Sequence, residues 1–195
     1  MNVYGKRMVE PKTHCLILIG LVLVLVAQPA AADMAADELV KIFAETCLMR
    51  FPDETSIQQY AGGNRLAIMP DEQLHHLLGT DPGEGWLQIT ARGQYLLTVE
   101  MPPYHTCAIR KGDAQQPDFL PILSQTLAAW AAKQTGTNFR ETPSMTLNID
   151  GVPSKEYLWE LHRSPNEQPE ELMAIVSNIP GGVTEVRLVR AIGNR

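Results

Sequence analysis

The chain has 195 residues, three cysteines and a formal net charge of −6. A length of this order holds a single hydrophobic core. An acidic balance without a basic run excludes the usual electrostatic footprint of nucleic-acid or anionic-membrane binding.

The first residues read as a targeting segment rather than as fold. MNVYGKRMVEPKTH carries Lys6, Arg7 and Lys12, an apolar run LILIGLVLVLVA follows from Leu16 to Ala27, and QPAAAD closes the segment. This order of charged head, apolar run and small residues is that of a secretory signal peptide. The run is shorter than the ~20 residues needed to cross a bilayer. Ala30 and Ala32 suit the −3 and −1 positions of a cut before Asp33. The expected organisation is therefore a signal peptide, 1–32, and one domain, 33–195. No membrane span is expected after cleavage, and residence is expected to be periplasmic or secreted. The remainder keeps 13 Lys+Arg and 21 Asp+Glu, a charge of about −8.

Cleavage removes Cys15 and leaves Cys47 and Cys107. An even pair in an oxidising compartment favours a disulfide, with two buried thiols as the alternative.

Along the mature chain, Leu39, Ile42, Phe43 and Cys47 recur at helical spacing, with Met49 as a further candidate. Asp33 or Asp37 is the expected cap, and Pro52 follows the end. SIQQYAGGN suggests a short second helix, RLAIMP a brief extended piece, and PDEQLHHLLG a third helix. TDPGEG is a turn-rich break. WLQIT and QYLLTVEM form a hairpin around ARGQ. After Pro102-Pro103, YHTCAIR is the next strand, with His105, Cys107 and Ile109 on one face.

FLPILSQTLAAWAAKQTG has the longest helical pattern, with Leu120, Leu123, Leu127, Trp130 and Ala131 on one stripe and a start near Pro117-Asp118. SMTLNID and KEYLWELHR flank GVPS as a hairpin, and ELMAIVSN and VTEVRLVRA flank IPGG as another. The fold class expected is α+β: a largely antiparallel sheet of six to seven strands with helices packed mainly on one side.

The chemistry-bearing residues are sparse. His75 and His76 point about 100° apart on a helix. His105 and Cys107 share a strand face but lack a third ligand, and an oxidised Cys107 cannot ligate. No Gly-x-Ser-x-Gly elbow is present, and Asp71 and Glu72 suit a helix N-terminus. Neither a cofactor nor a metal is implied. Tyr104, His105 and Arg110, around the central strand, are the ligand-binding candidates.

The layout is a signal peptide, then a helix with FAETCLMRFPD, then a strand with CAIR. It resembles that of small exported proteobacterial proteins of uncharacterised function. The resemblance implies exported or periplasmic residence and nothing about substrate. The expectation is a non-enzymatic module that binds a protein or small-molecule partner. The alternative is a hydrolase-like periplasmic enzyme with its site at Tyr104, His105 and Arg110.

Overall fold

A computed structural model of the chain describes residues 30–112 and 119–193, with side chains from residue 35 onward. The signal-peptide expectation and the entry to the long helix at Pro117-Asp118 lie outside the described residues. The described elements are four helices and nine strands, α1 Ala30–Phe43, α2 Glu54–Gly63, β1 Ala67–Ile68, α3 Asp71–Leu78, β2 Gly83–Thr90, β3 Gly93–Glu100, β4 Thr106–Lys111, α4 Phe119–Ala131, β5 Asn138–Glu141, β6 Met145–Ile149, β7 Val152–His162, β8 Glu170–Ile179 and β9 Val183–Ile192. A π-helical segment, Ala44–Leu48, continues α1.

The fold is α+β, with one fully antiparallel sheet in the order β1-β2-β3-β4-β9-β8-β7-β5 and β6 also paired to β7. It has nine strands rather than the six to seven expected. The two beyond seven are β1, two residues long within the brief extended piece expected at RLAIMP, and β5, four. Both are too short to show a period-2 pattern in sequence.

The register fixes the faces. Leu97 lies opposite Ile109, Ile109 opposite Leu188, and Leu188 opposite Ala174. This face joins Leu39, Phe43 and Phe51 from the N-terminal segment and Leu123 and Leu127 from α4 in one buried cluster. The helical spacing of the sequence produces this packing: Ala36, Leu39, Val40 and Phe43 recur on one stripe and all are buried. The hydrophobic burial is the main favourable term holding the helices to the sheet.

α3 sits against the opposite face. A Cβ at Gly85 would stand 2.9 Å from Leu74 Cδ1, and one at Gly83 only 2.4 Å from the Val99 carbonyl oxygen. Glycine at these two positions therefore lets β2 run close under the helix and along β3. The break expected at TDPGEG is correspondingly shorter, because β2 begins at Gly83.

Four local expectations are corrected. Asp33 and Asp37 lie within α1 rather than capping it. Met49 is 65% exposed, because the chain leaves the helical repeat after the π-helical segment. Trp130 is only partly buried, its indole Nε1 donating to the Leu48 carbonyl at 3.0 Å. The β6–β7 turn is Asp150-Gly151 rather than GVPS, with φ of 51° and 85°, the left-handed pair that a tight two-residue hairpin requires.

Cys47 and Cys107 form a disulfide, with Cα atoms 5.5 Å apart, closing a separation of 60 residues. Both are fully buried. The link ties the π-helical segment to β4. The chain-entropy model assigns such a loop about 4 kcal/mol. Cys47→Ala and Cys107→Ala are each expected to lower the unfolding free energy by up to about that amount. The double variant should be no less stable than the weaker single one. Urea denaturation of the three proteins checks this.

Candidate functional site

β9 ends at Ile192 beside the turn that leads into β4. The Ile192 amide donates to the His105 carbonyl at 3.1 Å. His105 has φ 42°, a left-handed conformation that turns the chain before the regular pairing begins at Thr106. This turn, the end of β9 and the 163–169 connection between β7 and β8 surround three adjoining hollows.

The first, of about 700 Å³, is lined by Asp81, Glu100, Tyr104, Thr106, Gln168 and Glu171 among others. No Lys, Arg or His stands among its lining residues. Tyr104 is 58% exposed, and Glu100 accepts a hydrogen bond from Thr106 Oγ1 at 2.7 Å.

The second, about 400 Å³, is bounded by Pro52, Pro102, His105, Arg163, Glu170 and Arg190. The His105 ring stands edge-on to Phe51, with centroids 4.7 Å apart. Its Nε2 is buried without a hydrogen-bond partner among the described residues. The third, about 430 Å³, extends along Arg163, Asn166, Glu167 and Gln168.

The floor of the second hollow is a buried ionic network. Arg190 Nε and Nη2 donate to Glu170 Oε2 at 3.1 and 2.8 Å. Arg163 Nε and Nη2 donate to Glu170 Oε1 at 2.8 and 2.6 Å. Arg190 Nη1 reaches the carbonyls of Cys47, Leu48 and Phe51 at 3.0, 3.3 and 2.6 Å. Those carbonyls belong to the end of the first helical run and the residues just beyond it, where backbone acceptors lack intrahelical donors. The guanidinium also lies over Trp130, 4.9 Å from the ring centroid. Burial alone would raise the Glu170 carboxyl pKa, but the Arg190 charge and the hydrogen bonds from both arginines outweigh it and leave it lowered.

The sequence candidates are not brought together. Tyr104 lines the first hollow and His105 the second. Arg110 lies on the opposite face from Cys107 and lines none of the three; its Nη2 donates to the Leu77 carbonyl of α3 at 3.4 Å. Alternation along β4 accounts for this separation, since Cys107 and Arg110 are three residues apart. Arg190, Glu170 and Arg163 were missed. For Glu170 and Arg190 the signal was a charge at an inward position of an apolar strand face: Glu170 in line with Leu172, Ala174 and Val176, and Arg190 in line with Val186 and Leu188. A charge so placed requires a partner.

Scanned against known protein families the chain matches none, and no curated protein matches it. Among the described residues, no group of three or more His, Cys, Asp or Glu is arranged to hold a metal ion, and no helix is long and apolar enough to cross a membrane.

The lowered Glu170 pKa sets a pH dependence. A depressed carboxyl contributes stability above its unfolded value, near 4.3, and loses it as pH falls through the folded value. Unfolding free energy is therefore expected to decline with acidification below about pH 4.3. Glu170→Gln should flatten that part of the profile and, by leaving Arg190 short of its counter-charge, cost about 3–5 kcal/mol at neutral pH. Denaturation series across pH on both proteins measure this.

Proposed function

We propose that this protein is an exported binding module, not an enzyme, and that it takes a positively charged organic group in the hollow beside Tyr104. The carrying observation is the lining of that hollow, which holds Asp81, Glu100 and Glu171 and no basic side chain. The exposed Tyr104 ring offers a face for a cation, a contact worth about 0.5–1 kcal/mol at an exposed site. The three carboxylates do not gather as a metal cluster, so an extended ammonium or guanidinium ligand fits them better than a single ion. The enzymatic alternative draws on the unpartnered His105 Nε2, but Tyr104, His105 and Arg110 do not share a cavity. Export is supported by the leader pattern in residues 1–32 and by the buried disulfide.

Titration calorimetry with spermidine and with a lysine-containing peptide tests the reading. Binding should weaken with added salt. Tyr104→Ala should reduce affinity about two- to fivefold, and Glu171→Gln should also weaken it. A larger response to the peptide than to spermidine identifies a protein partner, and the reverse a small molecule. No binding of either, or equal response to glutamate, overturns the proposal. N-terminal sequencing of the exported protein is expected to begin at or near Asp33, and a mature N-terminus still containing Leu16 would contradict export by cleavage.

A further inference from the structure

The face of the sheet that carries Glu100 and Thr106 holds a second arrangement, four residues further along β4 than the Thr106 that lines the Tyr104 hollow. Arg110 on β4 and Arg187 on β9 are register partners, directly opposite each other on antiparallel strands, so both project from one face. Arg110 is only 9% exposed. Its single hydrogen bond among the described residues is the 3.4 Å contact to the Leu77 carbonyl, and its Nε is buried without a partner. Among the described residues Arg187 is held only through Nη2, at 3.5 Å from Glu185 Oε1, and its Nε too is buried without a partner.

Like charges directly opposed across a ladder destabilise it, and a buried guanidinium short of acceptors adds a desolvation cost. The neighbouring carboxylates answer this poorly: Glu185 makes one long contact, and Glu100 takes the Thr106 hydroxyl. Burial, followed by the Arg187 charge, lowers the Arg110 pKa to about 10 against the opposing charges of Glu185 and Glu100. The Arg187 side chain keeps 26% of its surface exposed, which leaves an approach from solution.

We infer that Arg110 and Arg187 form a two-guanidinium clamp for a tetrahedral oxyanion of the phosphate or sulfate type. Guanidinium forks match such oxygens bidentately, and two forks meeting from adjacent strands suit an anion with three or four oxygens better than a two-oxygen carboxylate. The bound anion supplies the acceptors that the Nε groups lack and removes the repulsion between the strands.

Thermal unfolding in inorganic phosphate, against sodium chloride at matched ionic strength, tests the clamp. Phosphate should raise the midpoint where chloride does not, because it binds the folded state. In ¹⁵N spectra, the Arg110 and Arg187 Nε–H signals should shift with phosphate. Arg187→Gln should abolish the phosphate response, and Arg187→Lys should retain only part of it, since an ammonium has no fork. Arg187 is partly exposed, so these variants are expected to fold even where Arg110→Gln does not. A methyl phosphate arm separates sources: a response equal to that of phosphate indicates a phosphate ester, and a response to phosphate alone indicates the free anion. An unchanged midpoint and unshifted Nε–H signals in phosphate overturn the proposal, as does an Arg187→Gln protein that responds like the wild type.

Discussion

The guanidinium of Arg190 is the contact on which the N-terminal half and the sheet both depend. It enters the apolar face of β9 as a full charge, and transfer of an isolated ion into such surroundings is prohibitive. It is tolerated because all three of its nitrogens donate: two to Glu170 and one to the Cys47, Leu48 and Phe51 carbonyls. The Cys47 and Phe51 carbonyls rely on it in turn, whereas the Leu48 carbonyl also accepts from Trp130 Nε1. The end of the first helical run is buried, and without a donor its carbonyls would carry an unsatisfied cost of about 1–3 kcal/mol each. The partly negative end of a helix also favours a cation.

The disulfide and this network act on the same few residues. Cys47 is bonded to β4 through sulfur and to β9 through its carbonyl. A covalent and an ionic tie thus fix one short segment against two adjacent strands, and the turn carrying Tyr104 and His105 is built next to them. The hollows at this end of the sheet are therefore framed by restrained backbone. The two faces differ in kind. One buries an apolar cluster around a satisfied arginine. The other sets two arginines side by side with few acceptors.

Much of the fold was legible because its signals are local. Leu39, Phe43 and Cys47 at helical spacing pointed inward, and the export expected from the pattern of residues 1–32 favoured pairing Cys47 with Cys107. The hairpins were readable from alternation, although the β6–β7 turn falls at Asp150-Gly151 rather than at GVPS. What was not legible depends on pairing partners far apart in sequence. β5 exists because β7 offers it an edge. Trp130 lies on the apolar stripe of α4, yet it stays partly open because its Nε1 reaches the Leu48 carbonyl, 82 residues away. The site was less legible still. Tyr104, His105 and Arg110 are close in sequence, but strand alternation and the left-handed turn at His105 direct them to different places. The residues that frame the second hollow, Arg163, Glu170 and Arg190, are identifiable only once the faces of β8 and β9 are known.

β5 and β6 lie along the same edge of β7. Glu141 lies opposite Trp159 and Met145 opposite Glu156, so four steps on one side meet three on the other. The two short strands are thus one outer strand interrupted by an extra residue, and Pro143, which has no amide hydrogen, stands in the interruption. A long straight edge is a template onto which another chain can add its own strand, the first step of sheet polymerisation. Here the bulge breaks the outer ladder into pieces of four and five residues, and the proline removes a donor at the break. This end of a nine-stranded open sheet is thereby poorly matched to edge-to-edge pairing with a second copy of itself.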